Sequence, residues 1–100
     1  MTRPTKTQLC PLPNAMRIYL SDSDIVDYYK VDDSGYIRPN KRAWAGLDVT
    51  VILGRYQVED QSIFVPANTS KWLCQIGSNT WLSGIGKEHA DKEVTIIVHK

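Results

Sequence analysis

Between Val31 and Leu53 the chain changes character every few residues, and never in a way that suits a long helix. Asp32, Asp33, Ser34 and Gly35 make a turn in which glycine can supply a positive φ. Tyr36 to Arg38 is a short β-prone return that must stop at Pro39, which has no N–H to donate to a ladder. Asn40 can cap a helical turn over Lys41 to Ala45, and Gly46 can close it. Asp48 to Leu53 then reads as a strand, rich in Val and Ile. The unit is therefore strand, turn, short strand, one helical turn and final strand.

The remaining segments read in the same idiom. Met16 to Leu20 is a short strand. Ser21 to Asp24 fits either a capped helical start or a simple turn, with the turn favoured by the β-prone residues after it. Val26 to Val31 is a strand. Arg55 to Val58 and Ser62 to Val65 flank Glu59 to Gln61 as a second hairpin, ended by Pro66. Lys71 to Ile76, Thr80 to Leu82 and Glu93 to Val98 are further strands, with turns at 77–79 and 83–86 and a helical turn over 87–91. Apolar spacing is nowhere sustained over three helical turns. The expected fold is mostly β: a small barrel or sandwich of seven to nine short strands with one or two short helical turns. Residues 1–14, with Pro4, Pro11 and Pro13, are expected to form an N-terminal arm. Residues 15–100 are expected to form a single domain with halves at 15–54 and 55–100.

Sliding the sequence by 45 residues aligns Gly35–Leu53 with Thr80–Val98 without a gap. Tyr36 meets Trp81, Ala45 meets Ala90, and Asp48-Val-Thr-Val-Ile-Leu meets Glu93-Val-Thr-Ile-Ile-Val. The ends match strongly and the middle weakly, because the second copy has Gly84 where the first has proline. A duplication of this kind implies two pseudo-symmetric halves, neither of which can bury its sheet face alone.

The 31–53 unit resembles the swapped-hairpin, AbrB-like family, which includes archaeal transposon-encoded proteins and antitoxins. Gly35, Ile37, Pro39, Lys41, Arg42, Gly46 and Val49 to Ile52 carry the likeness, with a degenerate second copy at 76–98. Arg38 departs from the pattern, standing where an apolar residue is usual. The resemblance implies two interleaved hairpin units forming a small barrel, and DNA binding through basic loop residues. It points to a small regulator from a mobile element. On that basis Arg38, Lys41, Arg42 and Trp44 are the candidate DNA-binding residues, through phosphate contact and guanine readout by arginine. A solvated loop is the competing account of the same cluster. Arg3 and Lys6 in the arm are further candidates for phosphate contact.

Charge constrains this reading. With 12 basic and 11 acidic residues the net charge is +1, so no global field draws the chain to nucleic acid and any contact must be local. A rival function follows from Asp22, Asp24 and Asp27, an acidic stretch suited to a basic protein partner. On that reading the chain is an inhibitor or accessory protein of a phage, virus or plasmid. A viral structural or assembly role is a third possibility.

No catalytic residue, metal site or cofactor is expected. His89 and His99 lack ligands at metal-binding spacing, and the aspartates lack the glycine and terminal glutamate of a calcium loop. Trp44, Trp72 and Trp81 suit either base stacking or a core. Cys10 and Cys74 are either two reduced thiols, as in a cytoplasmic protein, or a single bridge. The polar start is unlike a signal peptide, and no apolar run approaches the roughly 20 residues that cross a bilayer. The unit is expected to be either a monomer with internal pseudo-symmetry or a homodimer.

Overall fold

The computed structural model describes residues 8–9, 16–66 and 68–100. Among the described residues seven strands run in chain order: β1 (Gln8–Leu9), β2 (Met16–Tyr19), β3 (Ile25–Lys30), β4 (Asp48–Leu53), β5 (Ser62–Val65), β6 (Lys71–Gln75) and β7 (Glu93–His99). Single 3₁₀ turns occupy Arg42–Trp44 and Lys87–His89. The strands form two antiparallel sheets, one of five strands in the order β1-β6-β4-β7-β3 and a ribbon of β2 with β5. The arrangement is sandwich-like rather than a closed barrel.

Strand pleating explains the layers. In β4 and β7 successive side chains point to opposite faces. Val49, Val51, Val94, Ile96 and Val98 enter one core with Val31, Ile37, Ile76 and Leu82 from the crossing loops. Ile52 and Ile97 enter a second core with Ile63 and Val65 of the ribbon. The central strands thus carry apolar residues on both faces, which is why they read as near-continuous Val/Ile runs. Each fully buried side chain of this kind contributes roughly 1.5–3 kcal/mol.

The 45-residue echo is structural and extends beyond the matched windows. Ile37 bridges Leu82, Val51 pairs with Ile96, and Ile18 pairs with Ile63. In each case a residue faces its own counterpart 45 positions away, which places all three pairs on one pseudo-twofold axis. The hydrogen bonds repeat in the same way. The Gly46 N–H donates to the Ile76 carbonyl at 2.8 Å, and the Asp91 N–H donates to the Val31 carbonyl at 2.8 Å. The halves are interleaved: β4 of the first pairs with β6 of the second, and β7 of the second pairs with β3 of the first. Residues 16–54 and 61–99 are the two copies.

Several local expectations are corrected. Arg55 to Val58 is not a strand, and the expected hairpin reduces to a bridge between Glu59 and Ser62. Asp60 and Gln61 both adopt positive φ there, the conformation of a tight hairpin turn. The Tyr56 N–H is taken by Thr95 Oγ1 at 2.9 Å, and the Tyr56 carbonyl by the Tyr28 hydroxyl at 2.7 Å. With those groups engaged, β5 pairs with β2 instead. Tyr36–Arg38 and Thr80–Leu82 shrink to the Ile37–Leu82 bridge, since Pro39 stops any longer ladder. Asn40 does not cap the 3₁₀ turn: Lys41 holds that position without a side-chain cap bond. Gln8–Leu9 of the expected arm adds to the sheet edge beside β6. Arg3, Lys6 and Cys10 lie outside the described residues, so the bridging of Cys10 to the buried Cys74 lies outside them too.

Candidate functional site

The basic loop of the first half lies where the chain leaves the axis at Ile37. Arg38 is held on two sides. Its Nε lies 2.7 Å from Asp32 Oδ2, and its guanidinium carbon sits 4.1 Å from the Trp81 ring centroid and 5.4 Å from that of Tyr36. The two rings meet edge-on, with centroids 6.1 Å apart. Asp32 can do this because its other oxygen accepts the N–H groups of Ser34 and Tyr36, each at 2.9 Å. The Tyr36 N–H, then that of Ser34 and the Arg38 charge, hold its carboxyl below the usual range against a smaller cost of desolvation.

Lys41 is half-engaged. Its Nζ lies 4.9 Å from the Trp44 ring centroid and 4.0 Å from Asp27 Oδ2. Trp44 itself is only 5% exposed, so it forms the floor beneath Lys41 and offers no free ring face to a base. Arg42 is exposed and forms no ion pair among the described residues. It opens onto a cleft of about 520 Å³ lined by Asn40, Arg42, Ala45, Ser78, Asn79 and Thr80. The cleft joins the halves, for Trp81 Nε1 donates to Asn40 Oδ1 at 3.3 Å. Thr80 sits at φ 65, a strained conformation for a β-branched residue.

The symmetry-related place differs in charge. Forty-five residues relate Arg42 to Lys87, and Ser78, Asn79 and Thr80 to Asp33, Ser34 and Gly35. One end of the pseudo-dimer thus joins a cation to neutral polar groups, while the other joins Lys87 and Glu88 to an acidic turn.

Asp22, Asp24 and Asp27 are not brought onto one face. Asp22 accepts from Gln61 Nε2 at 2.8 Å. Asp24 accepts the Ser21 N–H at 3.0 Å and lies 3.3 Å from His99 Nδ1. Asp27 accepts the Tyr29 hydroxyl at 2.9 Å on the opposite side of β3, beside Lys41. Nothing in the sequence marks the chain of contacts from Asp24 through His99 to Thr50, whose Oγ1 lies 2.8 Å from His99 Nε2. Thr50 is only 7% exposed, so this chain ties β4 and β7 to the turn before β3. Among the described residues no three His, Cys, Asp or Glu side chains converge on a metal position, and no helix is long and apolar enough to cross a membrane.

No family model, curated protein or solved structure matches this chain.

Proposed function

We propose that the chain is a DNA-binding regulator of the swapped-hairpin, AbrB-like kind, with two copies of the unit fused in one polypeptide. The interleaved pairing of β4 with β6 and β7 with β3 supports the resemblance that the 31–53 stretch carries. The observation that carries the function is Arg42, unpaired among the described residues at the mouth of a polar cleft. Arg42 and Lys41 contact phosphate, and the Ser78 hydroxyl and the Asn79 side-chain amide, both on exposed residues, offer further hydrogen bonds to the backbone. The strained Thr80 favours the same place, since residues held off their preferred backbone geometry cluster at ligand sites. Arg38 stays stacked on Trp81 and positions the loop. The binding is one-sided, because at the symmetry-related place Lys87 and Glu88 of the second half meet the acidic turn of the first.

Near-neutral charge sets the scale: few phosphates are contacted and the salt dependence is shallow. An inhibitor of a basic protein would use Asp22, Asp24 and Asp27, and the opposite facing of Asp24 and Asp27 weighs against that reading. Fluorescence anisotropy of a labelled duplex, titrated with protein over a series of salt concentrations, tests the proposal. Binding that weakens with salt and is lost in Arg42→Glu is expected; no binding at micromolar protein and low salt overturns it.

A further inference from the structure

The ribbon of β2 and β5 covers the second core with Ile18, Ile63 and Val65 and turns its other face outward. On that outer face stand Tyr19, 75% exposed, and Phe64, 58% exposed. They are 45 residues apart and therefore counterparts across the pseudo-twofold axis, which pierces the ribbon at the Ile18–Ile63 pair. The register sets Phe64 opposite Arg17 and Tyr19 opposite Ser62, so the two aromatics are diagonal neighbours, roughly 7–8 Å apart at the backbone. Large aromatics are costly to leave in water and form the anchors of protein interfaces.

Around this pair lies a charged rim. Arg17, Glu59 and Asp60 line one groove of about 220 Å³ with Tyr56, Gln57, Ser62 and Phe64. All three charged groups are exposed, and none forms an ion pair among the described residues. An aromatic centre on a local dyad with unpaired charges of both signs beside it is self-complementary, as a twofold interface requires.

We infer that the outer face of the β2–β5 ribbon is a self-association surface, on which a second copy of this chain packs face to face with its own ribbon. Tyr19 and Phe64 of the two copies form the buried centre. Arg17 of each copy pairs with the Glu59–Asp60 turn of the other. The pseudo-dyads of the two chains coincide, giving an assembly with four copies of the repeat.

Sedimentation equilibrium of the full chain over a range of concentrations tests this. The expected result is an approach to twice the chain mass of 11.3 kDa, with Tyr19→Glu/Phe64→Glu held at the single-chain mass while its circular dichroism matches wild type. Arg17→Glu provides a second reading that leaves the aromatics intact. It should dissociate alone and re-associate when mixed with Glu59→Arg/Asp60→Arg. A wild-type chain that stays at 11.3 kDa at every concentration, or folded variants that keep the doubled mass, would overturn the inference.

Discussion

Ile37 and Leu82 donate their backbone N–H groups to each other's carbonyls, at 2.9 and 2.8 Å, and both side chains are fully buried. They are counterparts in the repeat, so this pair holds the two halves together at the axis. Truncation of either leaves a cavity beneath both crossing loops. Ile37→Ala and Leu82→Ala should each cost about 2–5 kcal/mol, read as a lower urea midpoint with an unchanged slope. A loss below about 1 kcal/mol would show that the loops repack around the gap.

Gly35 and Gly46 separate backbone strain from crowding. Both lie at φ +80, yet a Cβ on Gly35 would meet the Gly86 carbonyl carbon at 2.6 Å and the Lys87 nitrogen at 2.8 Å, while one on Gly46 would meet nothing within 4 Å. Gly46→Ala should cost about 1–2 kcal/mol, the ordinary left-handed penalty. Gly35→Ala should cost clearly more, because both neighbours are backbone and cannot swing aside. Equal thermal shifts in the two variants would contradict this.

Asp32 neutralises Arg38, the residue that follows Ile37. Asp32→Asn keeps an acceptor for the Ser34 and Tyr36 N–H groups and removes the charge. If the basic loop binds DNA, this variant should bind more tightly than wild type, with a salt slope steeper by about 0.9 for one added phosphate contact. Arg42→Ala should bind more weakly and lower the slope by a similar amount. Anisotropy titrations over a salt series measure both.

Acid should weaken the fold through Asp24 and Asp32. Burial works against the Asp24 charge, but the Ser21 N–H and His99 outweigh it and lower its pKa. That of Asp32 is lowered chiefly by the Tyr36 N–H. A folded pKa below the unfolded value of about 3.9 gives stability that is present above that value and lost as the pH falls through the folded one. Asp24→Asn and Asp32→Asn should therefore be less stable than wild type at neutral pH and converge with it below about pH 4. Denaturant midpoints across an acid series test the convergence.

Alkali acts through Tyr29. Burial, then the Asp27 carboxylate that accepts its hydroxyl, pushes its pKa up to about 12. A raised folded pKa gives stability that is complete below the unfolded value of about 10 and is lost as the pH rises through the folded one. Near-ultraviolet titration should show a late tyrosinate step that disappears in Tyr29→Phe. The same substitution should flatten the alkaline loss of stability.

Much of the fold was legible because it depends on short-range chemistry. The Val/Ile runs at 48–53 and 93–98 are strands, Pro39 ends its segment, and the turns at 32–35 and 77–79 carry residues that tolerate bending. The echo was visible where strand chemistry is distinctive. It was hidden at Ile18/Ile63 and Leu20/Val65, where isolated apolar residues match by chance. Strand pairing was out of reach of local reading. Arg55–Val58 has β-prone residues, but the Tyr28 hydroxyl and Thr95 Oγ1 claim the backbone of Tyr56, and both come from distant strands.

The basic residues at 38, 41 and 42 were visible as a cluster, but their ion pairs were not. Whether a cation is free depends on which carboxylate the fold brings beside it. Asp32 and Asp27 take Arg38 and Lys41, and among the described residues neither they nor any other carboxylate pairs with Arg42. The sequence alone determined the strand and turn vocabulary and the 45-residue period, because side-chain volume, branching and glycine or proline content act within a few residues. Only the tertiary structure decided the interleaved pairing, the dyad through Ile37 and Leu82, and the asymmetric charge of the two ends. Those depend on contacts between residues far apart in the chain, which a one-dimensional pattern does not specify.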